Sequence, residues 1–92
     1  MSAPMIDEIP RLRPGFRFQW EPAQEAHVLL YPEGMVKLNE SAAAILGEVD
    51  GKTPVDQIIR NLEARFADAG DLSDDICQFL EDAREQHWIS LE

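Results

Sequence analysis

The chain has 92 residues, 45% of them hydrophobic, which is enough for one small domain with a modest core and too apolar for a disordered polypeptide. Its formal net charge is −10, and the excess lies in residues 39–92, which carry thirteen acidic and four basic side chains. This half repels nucleic-acid phosphates and anionic membranes, and it attracts basic segments.

The first predicted elements are an arm and a strand. Residues 1–10 contain two prolines and little periodicity, which predicts a flexible N-terminal arm before a single domain over residues 11–92. From residue 16 to residue 21, apolar and polar side chains alternate as they do in a half-buried strand. This alternation predicts a core face formed by Phe16, Phe18 and Trp20.

Two further strands follow. Residues 26–31 include a continuous apolar run, which predicts a second strand covered on both faces. Pro32 and Gly34 then favour a type I turn, and residues 35–38 form a third, short strand. Its alternation points two side chains inward, Val36 and Leu38, and two outward, Met35 and Lys37.

The hydrophobic period then becomes helical. Asn39 is predicted to cap a first helix that ends at Asp50-Gly51, and Thr53 to cap a second one. A third helix is expected from a cap at Asp71 or Ser73 to the region of His87. Residues 88–91 could then form a final strand or a packed tail, with Trp88 filling the core.

This order of elements predicts an α+β domain, because strands and helices are segregated along the chain. We expect a winged-helix-like fold, in which a three-stranded antiparallel sheet is followed by three helices.

Residues that could carry chemistry do not converge in this sequence. His27 opens a strand, His87 ends a helix, and Cys77 lies beside the apolar stripe of the third helix. The spacings typical of metal ligands and the glycine-rich loops that bind phosphates are missing. The sequence therefore predicts neither a catalytic site nor a metal or other cofactor.

Three further features of the sequence indicate the cellular location. A lone cysteine is typical of a protein in a reducing compartment. No apolar run approaches the roughly 20 residues of a membrane span, and the N-terminus lacks the pattern of a signal peptide. We therefore expect a cytoplasmic protein.

The third strand admits two interpretations. It could be an ordinary sheet edge protected by Lys37. It could also accept an extended peptide as an added strand, in which case the main chain would provide affinity and neighbouring pockets selectivity. Composition and spacing do not decide between them.

A family resemblance favours the second interpretation. The segments Arg17-x-Gln19-Trp20-Glu21, Tyr31-Pro32-Glu33-Gly34 and Leu38-Asn39-x-Ser41-Ala42 are together similar to the pyrroloquinoline quinone (PQQ) biosynthesis protein D family, and the similarity covers nearly the whole chain. The resemblance implies a non-enzymatic peptide carrier, or peptide recognition element. Such a carrier binds a ribosomal precursor peptide and presents it to a radical S-adenosylmethionine enzyme that cross-links a Glu and a Tyr.

The resemblance also implies a binding site. The precursor peptide would add as a strand beside the third strand and against the third helix, and the residues expected to bind it are Met35, Val36, Lys37, Leu38, Ile76, Phe79, Leu80 and Ala83. An exposed edge also allows a homodimer. A winged-helix DNA-binding regulator is the alternative function, and the acidic helical half opposes it.

Overall fold

The computed structural model describes residues 6–92, which form two small antiparallel sheets and three α-helices. The strands are β1 (Pro10–Leu12), β2 (Arg17–Glu21), β3 (Ala26–Tyr31), β4 (Gly34–Lys37) and β5 (Ile89–Leu91). The helices are α1 (Glu40–Leu46), α2 (Val55–Arg65) and α3 (Ser73–Glu85), and a 3-10 turn, Ala67–Ala69, lies between α2 and α3. The predicted α+β fold is confirmed.

The larger sheet has the order β2-β3-β4, so β3 is central and β2 and β4 are edges. Phe18, Leu29 and Val36 are aligned across the three strands, and they face the helices because paired residues share a face. Val28 is fully buried on the opposite face of β3, which confirms that this strand is covered on both sides.

The core forms between this sheet and the helices. Leu29 and Leu38 contribute from the sheet, and both long helices contribute a stripe at helical spacing. The buried members of the cluster are Leu29, Leu38, Ile45, Leu46, Val55, Ile58, Ile59, Leu62, Ile76, Leu80, Ala83 and Ile89. Trp88 packs against this cluster, as predicted.

A second sheet joins the two ends of the described chain. β1 pairs with β5, with Pro10 opposite Leu91 and Leu12 opposite Ile89. The segment before β1 continues along α2, where the N–H of Val55 donates to Glu8 O (2.9 Å) and that of Asp56 to Ile6 O (3.1 Å). Part of the predicted arm, residues 1–5, lies outside the described residues. Its remaining part is hydrogen-bonded to the domain.

Three predicted helix boundaries are wrong. The N-cap of α3 is Leu72, without a side-chain hydrogen bond, instead of Asp71 or Ser73. Asn39 caps α1 as expected, since its Oδ1 accepts from the N–H of Ala42 at 2.8 Å, but the helix ends at Leu46 instead of Asp50. The next two N–H groups, of Glu48 and Val49, bond three residues back, which tightens the chain into turns. Thr53 does not cap α2, because Asp50 engages its N–H and hydroxyl.

Candidate functional site

The main chain of β4 is the first component of the candidate site. The N–H of Leu38 donates to His27 O at 3.0 Å, which shows that Leu38 directs its main chain toward β3. Because this orientation alternates along an antiparallel strand, Val36 also faces β3, and Met35 and Lys37 direct their N–H and C=O groups away from the sheet. Within residues 6–92, β4 has no strand on that side.

The side chains of β4 alternate as the sequence predicted. Leu38 is buried and Val36 is half-buried against the core, while Met35 and Lys37 are exposed. Met35 retains 44% of its accessible surface, which makes it one of few large apolar side chains exposed in the described part of the chain. An extended segment beside β4 would therefore meet Val36 and Leu38 on the helix side of the sheet and Met35 on the opposite side.

The four predicted residues of α3 differ in their access to a ligand. Ile76, Leu80 and Ala83 are buried in the core, with at most 2% of their surface exposed. Phe79 is half-buried and packs at the margin of the same cluster. Phe79 can meet a ligand directly, whereas Leu80 and Ala83 would do so only after core side chains had moved.

A groove of about 930 Å³ surrounds α1 and opens beside these elements. Leu38 and Ile76, two of the eight predicted residues, line it. The groove continues past α1 to Trp20 at the end of β2 and to Phe66 at the end of α2.

This continuation of the groove was not predicted from the sequence. Strand alternation correctly placed Trp20 on the helix-facing side, but the expected burial is wrong, because Trp20 is 53% exposed. It is the penultimate residue of β2, which is an edge strand of the larger sheet. The exposure of Trp20 could have been predicted from its position near the end of an edge strand.

His27 and Cys77 pack against neighbouring side chains and do not form a reactive pair. His27 stacks parallel to Phe18, with ring centroids 4.9 Å apart. Burial, followed by the nearby charges of Asp74 and Glu81, raises the pKa of the Cys77 thiol, which keeps it protonated and poorly nucleophilic. Among residues 6–92, no three His, Cys, Asp or Glu side chains are grouped so as to hold a metal ion.

The helices of the described residues differ from membrane-spanning helices in length and hydropathy. In the part of the chain that the structure describes, every helix is too short or too polar to cross a bilayer.

Comparison with protein families gives a match over most of the domain. The model of the family described as Coenzyme PQQ synthesis protein D (PqqD) matches residues 26–89, a range that contains β3, β4 and all three helices. The matched range therefore includes all eight predicted site residues.

Several relatives are similar over almost their full length. A PqqA binding protein of Azotobacter vinelandii is 58% identical over 91 residues, covering 99% of both chains. A PqqA binding protein of Pseudomonas fluorescens (strain Pf-5) is 61% identical over 82 residues, covering 89% of this chain and 90% of the relative.

A solved structure has the same fold. The solution NMR structure of the PqqD truncation of Methylobacterium extorquens PqqCD aligns with a TM-score of 0.72 and 31% sequence identity. The alignment covers 89% of this chain and 88% of that chain. That protein is described as a functional and stand-alone recognition element for ribosomally synthesized and post-translationally modified peptides (RiPPs).

Proposed function

Since this chain belongs to the Coenzyme PQQ synthesis protein D (PqqD) family, we propose that it binds a PqqA-type precursor peptide in PQQ biosynthesis. The similarity to proteins named for PqqA binding extends over the whole chain, and the similarity to a RiPP recognition element extends to the fold. Both support a role in peptide recognition.

The binding mode that we propose is strand addition at β4. The outward main-chain groups of Met35 and Lys37 are the observation that carries this proposal. They offer two N–H donors and two C=O acceptors in the spacing that an extended peptide requires, and such pairing provides affinity without depending on the sequence of the guest.

Selectivity would come from side chains on the two faces of the added strand. Val36 and Leu38 face the core side, where Phe79 adds a half-buried aromatic ring. Met35 and Lys37 face the opposite side. We propose that Ile76, Leu80 and Ala83 support this site from within the core, since little of their surface is exposed.

The proposed role is that of a carrier without catalytic activity, a metal or another cofactor. The arrangement of His27 and Cys77 supports this, because the His27 ring packs against Phe18 and Trp20 and the thiol pKa of Cys77 is raised. The recipient would be the radical S-adenosylmethionine enzyme of the same pathway, in the cytoplasm. A homodimer formed through β4 would compete with the peptide for the same edge.

Replacing Lys37 with proline tests strand addition. Proline removes the outward N–H and places its ring on the edge, but the bonds between β3 and β4 use the neighbouring residues and remain. We expect Lys37→Pro to weaken precursor-peptide binding by roughly tenfold or more. The matched variant Lys37→Ala keeps the N–H and should change the affinity by less than about threefold.

The affinities would be measured by calorimetry on variants whose folding has been verified by NMR. In the wild-type protein, the peptide should shift the amide resonances of residues 35–38 and of Phe79. Equal affinities for Lys37→Pro and Lys37→Ala, or peptide-induced shifts confined to other surfaces, would refute the proposed site.

A further inference from the structure

The part of the groove that reaches Trp20 and Phe66 lies outside the proposed peptide site. Trp20 belongs to β2, the edge of the sheet opposite β4. Trp20 is 53% exposed and Phe66 is 43% exposed, and both line the same groove. Exposed aromatic side chains that share a concave surface are typical of a protein-binding site, whereas scattered ones need no explanation.

Trp20 is exposed but held in place by other rings. Its indole packs edge-on against the imidazole of His27, with centroids 5.2 Å apart and planes at 73°. That imidazole in turn stacks on Phe18. Because the indole is already oriented, a partner that covers it loses little conformational entropy on binding.

Small residues of α1 and its C-cap line the groove. Ala43, Ala44 and Gly47 line it, and a Cβ added to Gly47 would lie 3.7 Å from the Phe18 ring and 3.1 Å from Ala43 O. Their small size leaves room between the sheet and α2 for side chains of another polypeptide.

The charged residues of the groove favour one class of occupant. Three acidic residues line it, namely Glu25, Glu40 and Asp75. Arg65 is the basic residue of the lining, and it is directed toward Glu48 (3.7 Å) and toward the Phe66 ring (5.1 Å to the centroid). Among residues 6–92, the three acidic side chains form no ion pair.

We propose that this part of the groove, which we call the Trp20–Phe66 groove, binds an apolar segment flanked by Lys or Arg on the protein that receives the peptide. Apolar side chains of that segment would cover Trp20 and Phe66, and its basic residues would lie near Glu25, Glu40 and Asp75. This inference rests on the proposed carrier function. It implies that the recipient covers Trp20 at the β2 edge of the sheet, while the cargo pairs with β4 at the other edge.

The test measures two affinities for each variant, one for the radical S-adenosylmethionine enzyme of the pathway and one for the precursor peptide. We expect Trp20→Ala and Phe66→Ala each to weaken enzyme binding by roughly tenfold or more. The affinity of these two variants for the precursor peptide should change by less than about twofold. Ile6→Ala is the matched control, because Ile6 is also a large exposed apolar residue and lies outside the groove lining.

Charge reversal tests the class of occupant. Glu25→Lys and Glu40→Lys should weaken enzyme binding and reduce its dependence on salt concentration. Glu85→Lys makes the same change of charge on an exposed residue outside the groove lining, and it should leave the affinity unchanged.

Three results would overturn this proposal: no binding of the enzyme to the wild-type chain, wild-type affinity for the enzyme in both aromatic variants, or weakened peptide binding in those variants. The last result would assign the groove to the peptide. Loss of peptide binding in Lys37→Pro concerns the carrier function alone, so failure of either proposal can be recognised separately.

Discussion

Leu80 and Phe79 are adjacent in α3, yet the structure gives them different roles. Leu80 is completely buried, whereas Phe79 is half-buried at the margin of the core. Leu80→Ala should lower the free energy of unfolding by about 2–5 kcal/mol, because it leaves a cavity in the core.

We expect Phe79→Ala to destabilise the protein less and to weaken peptide binding in molecules that remain folded. Denaturant unfolding and calorimetry would measure the two effects. If Leu80→Ala were as stable as the wild-type protein, the assignment of Leu80 to the core would be wrong.

Asp50 organises the loop between α1 and α2. Its carboxylate accepts hydrogen bonds from the N–H groups of Lys52 and Thr53 and from the Thr53 hydroxyl, and these bonds lower its pKa in the folded state. Because the pKa is lowered on folding, the ionised carboxylate stabilises the fold at pH values above the ordinary aspartate pKa of about 3.9. This contribution is lost as the pH falls through the lowered pKa.

Asp50→Ala should therefore reduce the melting temperature at pH 7. The difference in melting temperature between this variant and the wild-type protein should become smaller below about pH 4. Thermal unfolding followed by circular dichroism at several pH values would measure this. Asp68→Ala, which removes an exposed carboxylate in the 3-10 turn, is the control. A difference between Asp50→Ala and wild type that persists unchanged at pH 2 would contradict the role of the ionised carboxylate.

At the scale of elements, the start of α2 depends on the segment before β1. Val55 and Asp56 donate to the carbonyls of Glu8 and Ile6, so these helix-terminal N–H groups have partners outside the helix. Hydrogen exchange should therefore be slower at Val55 and Asp56 than at Asp74 and Asp75 in the first turn of α3.

Exchange monitored by NMR would make this comparison within one sample. Similar rates at the two helix starts would show that the segment before β1 separates readily from α2.

Hydrophobic periodicity predicted the helices and strands that are long enough to show a period. It did not predict strands that form only by pairing with a segment far away in the sequence. Alternation alone placed Val36 and Leu38 inward and Met35 outward. β1 and β5 are three-residue strands joined across almost the whole described chain, too short to show a period of their own. The same limit applies to the N–H groups of Val55 and Asp56 at the start of α2, because their acceptors, Glu8 O and Ile6 O, are far away in the sequence.

The candidate site was predictable to a similar extent. The β4 edge follows from alternation and from the family resemblance. The exposure of Trp20 does not, because alternation identifies the face of a strand and says nothing about how far the helices extend over it. The helical spacing of Ile76 and Ala83, in contrast, predicts their position on the buried face of α3, and both are buried.

At the scale of the whole molecule, charge distinguishes a peptide carrier from a DNA-binding regulator. Residues 39–92, which contain all three helices, have thirteen acidic and four basic side chains and therefore a net charge of −9. Binding to DNA derives much of its affinity from Lys and Arg at phosphates. We expect no DNA retention in a mobility-shift assay, even at low salt.

Electrostatic binding to DNA is strongest at low salt, because charges are screened least there. Absence of retention under this condition is therefore a strict test. Retention of duplex DNA that disappears as salt is raised would revive the regulator hypothesis.

The pairing of β1 with β5 has a consequence for protein engineering. Pro10 and Leu91 are opposite each other, so the two ends of the paired region lie side by side, about 5 Å apart. A tether attached at either end would start from nearly the same point. A circular permutant opened within residues 67–70, with a linker that retains residues 6–9 and their hydrogen bonds to the start of α2, would keep both edges of the larger sheet intact.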